Sequence, residues 1–436
     1  MNEHLQRLRK RHLAELLTLS FGIAGSAHAG TPPLYVTNCL DDGSPGTLRS
    51  IVAAAVPGTT IDTYTQSNCS TITLTQGEIV LPLGGFEVAG HNGAPHIVAA
   101  PHSRVFRQPI GVINFGSRPA VNFSELTISG GRVYIGATSI AMGGCISGDV
   151  VNLIDSTVSD CVAASAGTAA TGGAVSGWYV GLVRSRVENS GAYAAGRDKI
   201  ARGGGVYAME VACTDSTITG NHVVSEGRGE GGGIFGVYAV DMQGCTIDHN
   251  SADRGGGVAQ FYGHIASSIR DSTISSNTAT TAVGGLLFIS PVSFYNSTIA
   301  FNQASGACGG MLSVGPVVSH STIFANNLSA SPDCVDFYTR QPSGANNLIT
   351  VAGASPVPPG TISADPQLTP LADHGGLTLT HGLSLSSPAI DNGSNLLPLP
   401  WDQRGPGFYR VVGSNADIGA FERQADDDTL FFGGFE

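Results

Sequence analysis

Charge is scarce in this chain, and lysine is almost missing. Only 12% of the 436 residues are Asp, Glu, Lys or Arg, and lysine occurs at Lys10 and Lys199 alone. Acidic residues outnumber basic ones 33 to 21, for a net charge of −12. Nucleic-acid phosphates are bound by clustered Lys and Arg, so no nucleic-acid partner is expected. Long apolar runs are missing as well. No stretch beyond the N-terminus approaches the roughly 18 apolar residues a membrane helix needs, so no transmembrane span is expected in the mature chain. No CxxC or His-rich spacing suggests zinc, and no Ser-His-Asp order or Walker loop stands out. "GRGEGGG" (227–233) is not a phosphate loop, because no Lys-Ser/Thr follows it.

Glycine, by contrast, is abundant. Its 60 residues are about twice the average usage of roughly 7%, without the every-third-residue period of collagen. Together with Thr, Val and Ile this is the composition of turn-rich β structure. At the N-terminus Arg7, Arg9, Lys10 and Arg11 precede an apolar stretch, and Ala27 and Ala29 offer a small-residue cleavage site. Residues 1–29 therefore read as a secretory signal peptide, although Glu15 near the start of the apolar stretch is atypical. Its removal leaves 17 basic against 31 acidic residues, a net charge of −14. The expected location is secreted or at the cell surface. Eight cysteines in an exported chain favour disulfides, and the simplest pairing joins sequence neighbours: 39 with 69, 145 with 161, 213 with 245, 308 with 334. Other connectivities stay open on sequence alone.

One phrase recurs: "DSTITGN" (215–221), "CTIDHN" (245–250), "DSTISSN" (271–277) and "NSTIAFN" (296–302). Aligned on its apolar residue, the chain gives Ile128, Val158, Val187, Ile218, Ile247, Ile274, Ile299 and Ile323, at steps of 30, 29, 31, 29, 27, 25 and 24. A period in this range, with short β-prone runs and no helical pattern, marks a solenoid. A second phrase per unit, "GGAV" (172–175), "GGGV" (203–206), "GGGI" (231–234) and onwards to "GGML" (309–312), supplies glycines for a tight corner. Strand alternation turns the Ile and the Ser of "DSTIS" inward and the Asp and Thr outward. Asn221, Asn250, Asn277, Asn302 and, in "STIFAN", Asn326 form a candidate hydrogen-bonded ladder.

The pairing of these two phrases over about residues 110–335 resembles the repeats of polymorphic outer-membrane proteins and other right-handed parallel β-helix proteins. "GTLRSIVAAAVPGTTI" (46–61) is similar to the N-terminal cap of secreted bacterial β-helices. Residues 364–393, "DQRG" (402–405) and "ADIGAFE" (416–422) resemble a choice-of-anchor Q domain. The resemblance implies an all-β right-handed parallel β-helix with an N-terminal cap and a C-terminal capping domain. Its parts are the signal (1–29), cap and first coils (30–109), repeats (110–335), choice-of-anchor-like domain (336–424), and an acidic spacer with an apolar tail (425–436). An open solenoid end exposes strand edges, so "LRSIVAAA" is expected to cover the first rung and residues 336–422 the last.

Chemistry on such a scaffold comes from outward positions and loops. Three residues before each core Ile or Val the column reads Glu125, Asp155, Arg184, Asp215, Gly244, Asp271, Asn296 and His320. One residue after it stand Ser129, Ser159, Glu188, Thr219, Asp248, Ser275, Ala300 and Phe324. The early rungs also carry longer loops, 15 to 18 residues against 10 or 11 later, which would wall a groove beside the charged middle rungs. Asp215, Asp248, Glu188 and Arg184 are the candidate catalytic residues if the protein is an enzyme. Arg186, Lys199, Tyr207, Phe235 and Trp178 are candidate ligand-binding residues, the rings by stacking on sugars. No cofactor is implied beyond a Ca2+ ion that paired carboxylates would hold. Two functions compete: an adhesin-like protein binding polysaccharide or a cell-surface ligand, and a polysaccharide lyase or glycoside hydrolase working in that groove.

Overall fold

A β-prone run punctuated every few residues by a residue that tolerates positive φ cannot extend; it must turn, and here it turns the same way each time. The computed structural model describes residues 32–63, 69–90, 95–109, 118–136, 139–263 and 265–425. The expected signal segment and the apolar C-terminal tail lie outside them. The chain is nearly all-β, with parallel strands stacked as a β-solenoid of about ten turns. The described residues divide into two compact units, those up to 212 together with 218–239, and 213–217 together with those from 240 onward.

Each rung has left-handed corners. The residue three before the core position sits at φ 49° in Asp155, 44° in Arg184, 47° in Asp215, 39° in Asp271 and 45° in Asn296. Two residues after the core position the pattern returns: Asp160 at 56°, Asn189 at 51°, His249 at 53° and Ser276 at 56°. A third corner falls on the Gly phrase, at Gly172, Gly203, Gly231 and Gly255. Asp and Asn are the non-glycine residues that most readily adopt this conformation. The "D" of "DST" is thus selected first by backbone geometry.

Between corners lie short strands. In the first unit Ile72, Ile97, Ile128, Val158 and Val187 are successive in-register partners, all fully buried. In the second unit the equivalent column is Ile247, Ile274, Ile299, Phe324 and Ile349. Phe324 therefore takes the inward place expected of Ile323, and the rung is shifted by one. The corner before it is Ser321, at φ 50°, rather than His320. The aromatic ring is matched to its interior neighbours, packing edge-on against Phe294 at 5.4 Å and Phe337 at 4.9 Å.

The same shift moves the end of the asparagine ladder. Asn277 Oδ1 accepts from Asn250 N and Nδ2, Asn302 Oδ1 accepts from Asn277, and Asn327 Oδ1, not Asn326, accepts from Asn302, all at 2.9–3.1 Å. The ladder ends on Asp336 Oδ1, which accepts from Asn327 N and Nδ2. Asn326 occupies the left-handed corner instead, at φ 57°.

All four disulfides join the sequence neighbours: Cys39–Cys69, Cys145–Cys161, Cys213–Cys245 and Cys308–Cys334. The expected N-terminal helix spans Leu48–Ala54. Thr47 caps it by accepting from Ser50 N, and Leu48 and Val52 are its buried residues. Arg49 ties it down, donating to the Asp41 carboxylate and to the Gly77 and Glu78 carbonyls.

The C-terminal region departs from expectation in two ways. Coil continues past residue 335, through strands Phe337–Thr339, Pro342–Ala345 and Leu348–Ile349. The remainder does not simply close the last rung; it lies along the side of the second unit, over the outward face of the Thr-Ile strands. Thr246 Oγ1 donates to Leu379 O, Thr273 Oγ1 to Gln403 Oε1, and Thr298 Oγ1 accepts from Ala420 N. Ile323, Ala325 and Leu348 pack with Leu383, Ala389, Ile418 and Phe421. Asp271 and Thr273, which point away from the interior as alternation requires, are consequently buried. The backbone approaches closely at Gly419, φ 110°, where a Cβ would come within 2.8 Å of Ile323 Cδ1 and 2.9 Å of Thr298 Oγ1.

Candidate functional site

The four candidate catalytic residues are divided: Arg184 and Glu188 belong to the first unit, Asp215 and Asp248 to the second. Arg184 grips the Asp155 carboxylate through Nε at 2.7 Å and Nη2 at 2.6 Å. Arg186 Nε is ion-paired with Glu188 Oε2. Both pairs join neighbouring positions on a solvated face, where such pairs contribute about 0–1 kcal/mol. Asp215 fills a left-handed corner, its Oδ1 set over the next corner, Gly244, so closely that a Cβ there would come within 2.1 Å. Asp248 is buried. Its Oδ2 is 2.6 Å from His249 Nδ1, and its Oδ1 has no hydrogen-bond partner among the described residues. The Lys199 carbonyl accepts from Arg228 N and Ser225 Oγ.

The binding candidates gather more closely. The longer early loops form a ladder of their own in the first unit, Ala169–Thr171, Ile200–Arg202 and Arg228–Glu230 pairing in register. From its edge Arg202 reaches Glu230 Oε2 at 2.8 Å and lays its guanidinium 4.6 Å over the Phe235 ring. Phe235 in turn stacks on Tyr207, centroids 5.6 Å apart and planes 9° from parallel. Phe235 faces away from the interior but is fully buried, so it offers no ring face to a ligand. Arg202 and Tyr207 take up its ring, and its role is to support them. Tyr207 itself is half-buried. Burial raises its phenol above the usual value, against the opposing pull of Arg202, so the hydroxyl stays protonated at neutral pH.

Trp178 and Tyr238, also half-buried, meet edge-on at 6.2 Å, and the Arg118 guanidinium lies 3.9 Å over the indole. Arg118 is ion-paired with Asp149. The indole adjoins an apolar cluster of Val150, Tyr179, Val183 and Ala212. The result is an aromatic ledge on strands Val175–Val183, Val206–Thr214 and Ile234–Gln243, edged by arginines that already have carboxylate partners. Arg118, Asp149 and Glu230 were not among the sequence candidates. Their only signal was position: Arg202 and Glu230 end equivalent loop strands 28 residues apart.

Among the described residues no group of three or more His, Cys, Asp or Glu side chains is placed to hold a metal ion, and no helix is long and apolar enough to cross a membrane. No known family matches the chain, and no curated protein is similar to it.

Proposed function

We propose that this chain is an exported, adhesin-like β-solenoid that binds a glycan or a glycan-bearing cell-surface partner without turning it over. The observation that carries this reading is the ledge of Trp178, Tyr207 and Tyr238. It offers ring faces and edges beside arginine–carboxylate pairs, the combination that stacks on sugar rings and bonds their hydroxyls. The pairing of Arg184 with Asp155 and of Arg186 with Glu188 also favours binding over proton transfer, since each charge is satisfied locally.

Export is supported by the N-terminal pattern and by the four disulfides. The repeat phrases and the C-terminal "DQRG" and "ADIGAFE" motifs support kinship with β-helix proteins carrying polymorphic outer-membrane-type repeats and a choice-of-anchor domain. The test is incubation of the mature protein with a panel of acidic and neutral polysaccharides, following binding, unsaturated products and reducing ends together. Saturable binding without product is the expected result. Turnover abolished by Asp215→Ala or Asp248→Ala would replace this reading with the lyase or hydrolase one.

A further inference from the structure

A different face of the first unit carries a second aromatic feature. Tyr134, Ala164, Tyr193 and Val224 are in-register partners on four successive rungs. The residues just before them in the strands, Val133, Ala163, Ala192 and Val223, are buried, so this column points outward. Tyr134 is 67% exposed and Val224 54%, with Ala164 and Tyr193 half-buried. The parallel outward column reads Arg132, Val162, Gly191 and His222. These eight positions contain no acid, and Arg132 is their one fixed charge, in a chain whose net charge is −12.

The Tyr193 ring is held in place. Its hydroxyl is hydrogen-bonded to His222 Nε2 on the next rung, and the rings meet edge-on at 5.2 Å. Glycine at 191 is what permits this, because a Cβ there would come within 2.6 Å of His222 Nε2 and 2.9 Å of Tyr193 Cε2. Partial burial holds His222 below its usual value, so its neutral ring can accept the tyrosine proton. A ring fixed before ligand arrives loses little entropy on binding.

Rungs repeat about every 4.8 Å, so the two tyrosines on alternate rungs are spaced about 9.6 Å apart along the solenoid, with only a methyl group between. An extended β-linked pyranose chain turns over at each linkage and presents the same sugar face at every second unit, a repeat close to that spacing. We infer that this column is a binding site for an extended β-linked polysaccharide lying along the solenoid, sugar faces stacked on Tyr134 and Tyr193, with a uronate carboxylate paired to Arg132. The site is separate from the aromatic ledge and shares with it only the glycan class of ligand.

The test is calorimetric titration of the mature chain with two probes, an oligomannuronate and a cello-oligosaccharide. The uronate probe binds more tightly. Tyr134→Ala and Tyr193→Ala each weaken it about tenfold, Arg132→Gln removes the preference for uronate, and Tyr262→Ala, an exposed tyrosine outside both aromatic features, changes nothing. Tyr134 is so exposed that its removal leaves the fold intact, which far-ultraviolet circular dichroism verifies. Binding of neither probe overturns the site. So does binding that survives both tyrosine substitutions; if Trp178→Ala then abolishes it, the ledge stands and the column falls.

Discussion

Arg410, carried by the C-terminal segment, places Nη1 3.4 Å from Asp271 Oδ1, and both side chains are buried. Asp271 is the first letter of "DSTISSN", so a scaffold residue is also an anchor for the segment lying over it. Arg410 Nη2 further contacts Glu422 Oε2 at 3.3 Å and the Asp417 carbonyl at 3.0 Å. Removing the guanidinium would leave buried carboxylates uncompensated, at a cost of about 3–5 kcal/mol. Arg410→Met should therefore lower the denaturant midpoint strongly. An unchanged midpoint would mean that the segment is not docked in solution.

The same cluster predicts a pH dependence. Burial pushes Asp271 up from 3.8 to about 7, against the pull of Arg410, and burial likewise pushes Glu422 up from 4.5 to about 8. A carboxyl raised on folding is held in its protonated form by the folded state. Its contribution is complete below the unfolded value and is lost as pH rises through the folded value. The contribution of this pair should thus fall between about pH 4 and 8, so the stability difference between the wild type and Asp271→Asn should shift in favour of Asp271→Asn as pH rises from 4 to 7. A difference that stays constant over that range, or shifts the other way, would contradict this.

Much of the rung was legible because its letters answer backbone demands. Asp155, Asp215 and Asp271 mark left-handed corners, Ile274 the interior, and Asn277 the ladder, and each demand recurs once per turn. Where two letters satisfied one demand the pattern misled: "STIFAN" offers both Ile323 and Phe324 to the interior, and only the neighbouring phenylalanines decide for Phe324. Alternation correctly turned Thr273 and Phe235 outward. It carries no information on what covers an outward residue, so the docked C-terminal segment and the burial of Phe235 were not foreseeable. The site suffered most, because ion pairs such as Arg202–Glu230 depend on loop strands whose register the sequence does not state.

Asn277 should be among the most sensitive positions. Its Nδ2 faces the Ile247 and Ser275 carbonyls and Asn302 Oδ1, while its Oδ1 accepts from Asn250 N and Nδ2, all within a fully buried corner. Asn277→Ala leaves several of these groups unsatisfied, at about 1–3 kcal/mol each. Asn277→Asp does no better, since it replaces the donor by an acceptor facing carbonyl oxygens. Urea unfolding of both variants tests this, and a loss below about 1 kcal/mol would show that the ladder is not cooperative.

For Asp215 the corner role and the catalytic role predict different outcomes. At φ 47° Asn and Gly are tolerated, whereas a β-branched residue costs about 1–2 kcal/mol. Asp215→Asn should keep both stability and glycan binding, and Asp215→Val should lose stability with ligand affinity unchanged in the folded fraction. Loss of a measured turnover in Asp215→Asn, at unchanged stability, would assign the carboxylate to chemistry instead.

The ledge offers the sharpest separation of packing from recognition. Phe235 is buried beneath Arg202 and Tyr207, so Phe235→Ala should cost about 3–5 kcal/mol and weaken ligand binding only indirectly. Tyr207→Phe keeps the stack and removes only the hydroxyl. If the ledge binds sugars through hydroxyl contacts as well as ring faces, Tyr207→Phe lowers affinity several-fold at unchanged stability, and Trp178→Ala lowers it further by removing the indole on which Arg118 lies. Both stability and affinity, measured on the same preparations, are needed: a pair of variants in which affinity tracks stability alone would mean that the rings are packing and nothing more.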